Sequence, residues 1–274
     1  MSRTPVYNRG MADAGKIGRC ALCLKTRPLV ESHLLPAGVY RLSNAKEKTN
    51  PHPFLISGDS WLQTAAQVKD YLLCSECEGR FGQKGESWML RYCCRGRRFR
   101  LREDLLARRP MRPMLSDQDF SMYRATPAEV DHLVYFALSI FWRAAAHQWR
   151  IGRTPYPSIE LGPYENRIRE FLLLGAPILH RVALVVCVSS VEKTPLAASF
   201  PMGYIDKGRL FHRLHFPWLL FSMYLGNAAD EYKDLSILTS PDHPIWFSAH
   251  PDEHLTKSIL DFVRQNRVPM PKRN

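Results

Sequence analysis

Two Cys-x-x-Cys pairs near the start of this 274-residue chain constrain its fold more than any other sequence feature. The first pair is Cys20 and Cys23, and the second is Cys74 and Cys77. Four thiolates are the ligand set of a closed, tetrahedral structural zinc site. The spacing therefore predicts a structural Zn²⁺ ion that organises residues 20–90 as one module.

The segments that follow the two pairs predict different local structures. Residues 24–28 (Leu-Lys-Thr-Arg-Pro) are typical of the tight turn in a zinc knuckle. The apolar run Tyr71-Leu72-Leu73 leads into the second pair and then into the polar segment 80–86, which indicates a strand that ends at a helix, with Cys77 in the first helical turn. A knuckle carrying one pair and a helix start carrying the other form the arrangement of a treble clef.

The remainder of the chain predicts a larger α+β domain. Thr126, Pro127 and Glu129 form a helix start with a capping box, ahead of a core helix over 130–150. A second helix is predicted over 164–174 and a buried strand over 182–188. Shorter strand candidates and a last helix complete the pattern: 197–200, 210–215, 219–224 and 235–239 as strands, and 252–265 as the helix. The predicted organisation is a basic arm (1–19), the zinc module (20–90), an arginine-rich linker (91–115) and the α+β domain (116–274).

Positive charge is concentrated in one segment. The chain carries a formal charge of +12, and nine arginines less Glu103 and Asp104 leave +7 over residues 91–112. Planar guanidinium groups suit phosphate contacts, and the interleaved Tyr92 and Phe99 could stack on bases. The phosphate-contact candidates are Arg91, Arg95, Arg97, Arg98, Arg100 and Arg102. The alternative interpretation of this segment is a solvated linker face.

Cysteine usage and hydropathy predict a cytoplasmic protein with no membrane partner. Seven cysteines do not form a dense disulfide framework, and four of them have zinc spacing, which fits a reducing compartment. The N-terminus lacks an apolar signal core, and no apolar run reaches the ~18 residues of a membrane span.

Residues 18–90 resemble the HNH endonuclease family, which builds a ββα-metal active site on a treble-clef scaffold. Between the two Cys pairs, Ser32-His33-Leu34-Leu35-Pro36 is similar to the family segment that carries the general base. The resemblance implies that His33 takes a proton from the water that attacks the scissile phosphate. The family's orienting asparagine position is held here by Lys69, so Gln67 is the candidate orienting amide, with Asn50 as a more distant alternative. Lys69 itself is a candidate phosphate contact.

The resemblance also implies a second, catalytic metal ion. The family's metal-binding histidine directly follows the last cysteine, and Glu78 holds that position here. A carboxylate suits Mg²⁺ or Mn²⁺, and Glu31 is a further candidate ligand for the same ion. Ser32 stands at the position of the family's first Asp or His.

These features predict a metal-dependent HNH-type endonuclease that hydrolyses phosphodiester bonds in double-stranded DNA, with RNA as the alternative substrate. By family analogy, the expected context is bacterial phage defence or a mobile element. The main alternative function is a non-catalytic, zinc-dependent nucleic-acid-binding or regulatory protein, and a third is a protein-interaction subunit in which zinc only stabilises a surface. The α+β domain is expected to bind substrate, a protein partner or a second copy of the chain.

Overall fold

The computed structural model describes the greater part of the chain and is a mixed α+β structure. The described residues are 16–43, 54–57, 60–63, 66–93, 99–111, 120–152, 154–156, 158–177, 180–189, 198–206, 209–216 and 218–248. Helices and sheets are both present in the N-terminal and C-terminal parts, as the sequence predicts. The predicted helix over 252–265 lies outside the described residues.

The N-terminal part is a small antiparallel sheet followed by a helix. In chain order its elements are β1 (Ile17–Arg19), β2 (Thr26–His33), α1 (Ala37–Ser43), β3 (Phe54–Ser57), β4 (Ser60–Gln63) and β5 (Lys69–Cys74). Strands β1, β2 and β5 form one three-stranded sheet in that order, and β3 pairs with β4 in a separate hairpin. The predicted passage from strand to helix at the second Cys pair is confirmed, because β5 runs directly into α2 (Ser75–Phe81).

Helix α2 continues without a break into a π-helical segment (Gly82–Glu86) and then into α3 (Ser87–Cys93). The seven-residue helix α4 (Arg100–Leu106) follows. A π-helical turn widens the helix by one residue and re-aims the side chains beyond it. Here the widened turn packs against the long central helix described next.

The central helix is α5 (Pro127–Ala146), and its predicted start is confirmed. The Thr126 hydroxyl accepts a hydrogen bond from the Glu129 backbone N–H, and the Glu129 carboxylate accepts one from the Thr126 N–H. Proline at the first helical position completes the cap. The helix ends at Ala146, four residues before the predicted end at 150.

The C-terminal part is built on a six-stranded sheet. The elements of the whole C-terminal part, in chain order and with α5 between β6 and β7, are β6 (Phe120–Arg124), β7 (Arg150–Ile151), β8 (Thr154–Pro155), α6 (Tyr164–Leu174), β9 (Val182–Ser189), β10 (Met202–Asp206), β11 (Arg209–Phe216), β12 (Leu219–Leu225), α7 (Asn227–Glu231), a 3₁₀ turn (Lys233–Leu235) and β13 (Pro244–Ser248). The sheet order is β10-β11-β12-β9-β13-β6. All neighbours are antiparallel except β13 and β9, which are parallel.

Two predicted strands are wrong. The described residues of 197–200 are irregular, and 235–239 starts with the last residue of the 3₁₀ turn and continues as an ordinary turn. The Ser236 hydroxyl explains the second case, because it accepts hydrogen bonds from the backbone N–H groups of Leu184, Leu238 and Thr239. A side chain that satisfies nearby N–H groups in this way favours a turn over a strand.

One apolar core joins the parts of the chain. Every residue of α5 from Leu133 to Ala144 is buried. On one side α5 packs on the π-helical segment, and on the other the Phe136 ring contacts Phe216 and Phe221 of the sheet, with ring centroids 5.0 and 5.9 Å apart. The same core extends to Leu22 in the cysteine module, the residues 20–90 that carry the two Cys pairs. Among the described residues, no helix combines the length and apolar character that crossing a membrane requires.

Candidate metal centre and catalytic site

The four cysteines of the two pairs converge on one point. The Sγ atoms of Cys20, Cys23, Cys74 and Cys77 all lie within 4.8 Å of one another. A tetrahedral zinc ion with Zn–S bonds of about 2.3 Å needs sulfur atoms roughly 3.8 Å apart. The Cys23 and Cys74 sulfurs are 4.0 Å apart, so the cluster can hold a metal ion such as zinc.

Backbone hydrogen bonds shape the turn that carries the first pair. The Cys20 carbonyl accepts from the Leu24 N–H at 2.8 Å, and the Cys20 N–H donates to the Lys25 carbonyl at 3.0 Å. Leu24 closes the turn with a positive φ of 62°. The turn therefore lies at residues 21–24, slightly before the predicted segment 24–28, and β2 begins at Thr26.

The thiols of the cluster differ in acidity. Burial raises the pKa of the Cys77 and Cys20 thiols. Burial also acts on Cys74, but hydrogen bonds from the Cys77 backbone N–H and neighbouring thiols outweigh it and lower the pKa of Cys74. Metal binding requires thiolates and releases their protons, so this site is expected to bind a metal more strongly as the pH rises.

His33, the predicted general base, lies at the end of β2 and touches the predicted orienting amide. Its Nε2 atom is 2.7 Å from the Gln67 Oε1 atom. An amide oxygen only accepts hydrogen bonds, so this contact assigns the proton of a neutral imidazole to Nε2. The Nδ1 atom is then the basic nitrogen. The Tyr40 ring packs beside the imidazole, with centroids 6.3 Å apart.

Glu78 on α2 faces the buried side of β2. Ser32 is fully buried, and neither its Oγ atom nor Glu78 Oε2 makes a regular hydrogen bond with any of the described residues. Burial raises the pKa of Glu78, while the Arg143 charge and the nearby Ser32 hydroxyl act in the opposite direction. A buried hydroxyl and a buried carboxylate that lie side by side are oxygen ligands of the kind that Mg²⁺ or Mn²⁺ prefers.

Glu31 and Lys69 bind each other at the surface. The Lys69 ammonium lies 2.6 Å from the Glu31 carboxylate, and both side chains are about half exposed. Adjacent residues of a strand point to opposite faces, and Ser32 next to Glu31 is the buried one. The structure therefore brings His33 to Gln67 and Ser32 to Glu78, and it leaves the Glu31–Lys69 pair apart from the buried oxygens.

A buried arginine on α5 completes the site, and the sequence analysis missed it. Arg143 has no solvent exposure, and it donates to the His33 carbonyl oxygen at 2.6 Å and to a Glu86 carboxylate oxygen at 2.5 Å. Its guanidinium carbon also lies 5.0 Å from the Phe81 ring centroid. The available signal was a charged residue at helical spacing from the core residues Phe136 and Ile140.

The arginine-rich segment is described in part. Arg95, Arg97 and Arg98 lie outside the described residues, whereas Arg91 and Arg100 are exposed and Arg102 is half-buried. Arg100 lies over the Tyr92 ring at 5.6 Å, and Tyr92 stacks on Trp88 at 4.8 Å. The interpretation of Phe99 as a base-stacking residue is wrong, because Phe99 is buried against Trp218 in the core.

No protein-family model, curated protein or solved structure matches the chain.

Proposed function

We propose that the protein is a metal-dependent endonuclease of the HNH type that hydrolyses phosphodiester bonds in double-stranded DNA. The observation that carries this proposal is the contact between His33 Nε2 and Gln67 Oε1 at the end of β2. It holds the imidazole in one orientation, on a strand-and-helix unit that also carries the buried Glu78 carboxylate and the four cysteines. In this proposal the unit is a treble clef, and its zinc ion is structural because all four ligands are thiolates.

The general base would be His33. Its Nδ1 atom would accept a proton from the water that attacks phosphorus, while the Gln67 amide oxygen holds the ring through the Nε2–H group. A base that is held in one tautomer and orientation needs no reorganisation during the reaction. Gln67 therefore takes the orienting role that an asparagine has in the family.

The catalytic cation would bind at Glu78 and Ser32. Their oxygens are buried and lie close to each other, which fits the two protein ligands of a Mg²⁺ or Mn²⁺ site. When bound, the cation would stabilise negative charge on the phosphate and on the leaving oxygen. Glu31 is not needed for this site, because its carboxylate is taken by Lys69.

The DNA backbone would contact the exposed arginines that follow α2. The net charge of +12 favours a polyanionic partner, and Arg91 and Arg100 present guanidinium groups to solvent. Phosphate contacts of this kind are expected to weaken steeply with salt.

A second candidate function is a zinc-dependent DNA-binding protein without catalysis. The observation that favours it is Arg143, which already supplies a positive charge to the cluster around Glu78. A site neutralised by an arginine has less need of a divalent cation. Cleavage measurements separate the two functions.

The experiment that tests the proposal is cleavage of supercoiled plasmid in the presence of Mg²⁺ or Mn²⁺. We expect His33→Ala to lower the cleavage rate by about 100- to 10,000-fold, the usual contribution of a general base. Zinc content should stay at the wild-type level, because His33 is not in the cysteine cluster.

The matched control is His180→Ala, which removes an exposed histidine from a turn and should cleave at the wild-type rate. Wild-type protein that shifts DNA in a gel but never cuts it would favour the non-catalytic function. Cleavage that survives in His33→Ala would remove His33 from the proposed mechanism.

A further inference from the structure

Arg143 is a fully buried cation that joins three separate elements. It projects from α5, binds a backbone carbonyl at the end of β2 and forms an ion pair with Glu86 in the π-helical segment. Burying a charged pair carries a large desolvation penalty for each ion, so an apolar pair of similar size would stabilise a core at least as well. Core stability alone therefore does not account for Arg143.

The carbonyl that Arg143 holds belongs to His33 itself. The Arg143 Nη1 atom lies 2.6 Å from the His33 oxygen, on the backbone, while the His33 imidazole contacts Gln67. The residue is thus fixed at two points, by Arg143 on the main chain and by Gln67 on the side chain. A strand end fixed at both points limits the positions that its imidazole can adopt.

The ion pair between Arg143 and Glu86 distinguishes the two carboxylates near the site, Glu86 and Glu78. Glu86 is neutralised by Arg143, and its side chain is only 16 % exposed. Glu78 forms no ion pair with a described residue, although the Arg143 charge and the Ser32 hydroxyl both act on its carboxylate. Arg143 is therefore bound directly to Glu86 and acts on Glu78 only through space, so Glu78 is the carboxylate of the two that lacks a direct cationic partner.

We infer that Arg143 is a positioning residue of the candidate site: it fixes the backbone at His33 and neutralises Glu86, so that the imidazole and the Glu78 carboxylate keep one relative arrangement. The inference rests on the proposed function and deepens it. It makes α5, which lies outside the residues that resemble the nuclease family, a necessary part of the site.

The test uses a double variant that leaves no buried charge without a partner. Arg143→Met combined with Glu86→Gln removes both charges and keeps similar side-chain volumes, so we expect the protein to fold. Either change alone would leave one buried charge without its partner and destabilise the fold. The control is Arg124→Met combined with Asp242→Asn, which removes a solvent-exposed arginine–carboxylate pair. Zinc content and circular dichroism verify that each variant is folded.

Two readouts decide the inference. In plasmid cleavage, we expect the Arg143 double variant to lose about 10- to 100-fold in kcat with little change in KM, the scale expected for a misplaced catalytic group. In ¹⁵N NMR of the histidine rings, with the His33 signals assigned from His33→Ala, the wild type should show one Nε2–H tautomer, and the double variant a mixture.

Failure of this inference can be distinguished from failure of the nuclease proposal. If wild-type protein cleaves no nucleic acid, the nuclease proposal fails, and the tautomer measurement still decides whether Arg143 positions His33. A folded Arg143 double variant with the wild-type tautomer overturns the inference. Wild-type kcat in that variant would do the same.

Discussion

At the scale of single residues, Glu129 has two partners that act on one carboxylate. It accepts hydrogen bonds from the Arg108 guanidinium at 2.8 and 2.6 Å and from the Thr126 backbone N–H at 2.8 Å. Burial raises the pKa of Glu129, but the Arg108 and Thr126 contacts outweigh it and hold the pKa below the usual 4.5. The folded protein therefore favours the ionised carboxylate more than the unfolded chain does.

This shift predicts how stability depends on pH. Since the folded pKa is the lower one, Glu129 contributes its full stabilisation at pH values above the usual 4.5, and this contribution is lost as the pH falls through the folded pKa. We expect Glu129→Gln to lower the free energy of unfolding by about 1.5–3 kcal/mol at neutral pH. Urea unfolding near pH 7 and near pH 3 measures the difference, which should shrink at the lower pH.

The control for this prediction is Glu231→Gln, which breaks the half-exposed pair with Arg209. An exposed pair is worth about 0–1 kcal/mol, so the change should be small at either pH. An equal loss in Glu129→Gln at both pH values would contradict the assigned role of the Glu129 carboxylate.

The sequence predicts some residues of the candidate site and misses others for a physical reason. The cysteine spacing predicts the four-thiol cluster, since a metal site demands a fixed number of ligands at close range. The motif around His33 identifies the residue and its neighbour Gln67, whose roles stay predictions. Arg143 was missed because its partner Glu86 lies 57 positions away, and no local pattern links two residues at that separation.

At the scale of elements, two glycines in the π-helical segment make a matched pair. A Cβ atom at Gly85 would lie 3.0 Å from the Phe136 Cα atom and 3.1 Å from its nitrogen, so α5 would have to move. A Cβ at Gly82 would meet nothing within 4 Å, and its φ of −56° is helical. The glycine at 85 is thus required by close packing, and the one at 82 is not.

We therefore expect opposite effects from the same substitution. Gly85→Ala should lower the free energy of unfolding by about 1–3 kcal/mol, the usual cost of overpacking a core. Gly82→Ala should leave stability unchanged or raise it by up to about 1 kcal/mol, because alanine restricts the unfolded chain. Denaturant midpoints of the two variants measure this, and similar losses in both would mean that the π-helical segment is not tightly packed on α5.

Elements with local signals were predicted well, and those that depend on distant partners were not. The start of α5 follows from Thr126, Pro127 and Glu129, three neighbouring residues that satisfy the end of the helix. Strands β6, β10 and β13 were missed. Gly203 in β10 and Pro244 in β13 are weak strand formers, and these strands exist because neighbouring strands supply hydrogen bonds.

At the scale of the whole molecule, the cysteine module is part of the main core. Leu22 packs in the same apolar core as α5, and its carbonyl accepts a hydrogen bond from Arg169 of α6 at 2.9 Å. The Phe81 ring of α2 meets the Trp142 ring of α5 edge to face. Loss of the metal should consequently affect more than the residues that bind it.

We expect Cys74→Ser to lose bound zinc and to lower the thermal midpoint of the whole chain in one transition. Zinc binding supplies about 10 kcal/mol or more to small zinc-folded peptides, so its loss outweighs a single packing change. A colorimetric zinc assay, circular dichroism and tryptophan fluorescence measure the effect. Cys187→Ser, on β9, is the control that should keep its zinc; separate transitions for the two spectroscopic signals would contradict the shared core.

The order of the large sheet has a consequence for protein synthesis. Arg124 in the edge strand β6 pairs with Pro244 in β13, 120 positions later (244 − 124). On the ribosome, β9 to β12 can pair with each other early, whereas β6 must wait for β13 to emerge. Until then one side of β9 stays open to pairing with other chains, so β13, the last strand among the described residues, is the one that protects the growing polypeptide from misassembly.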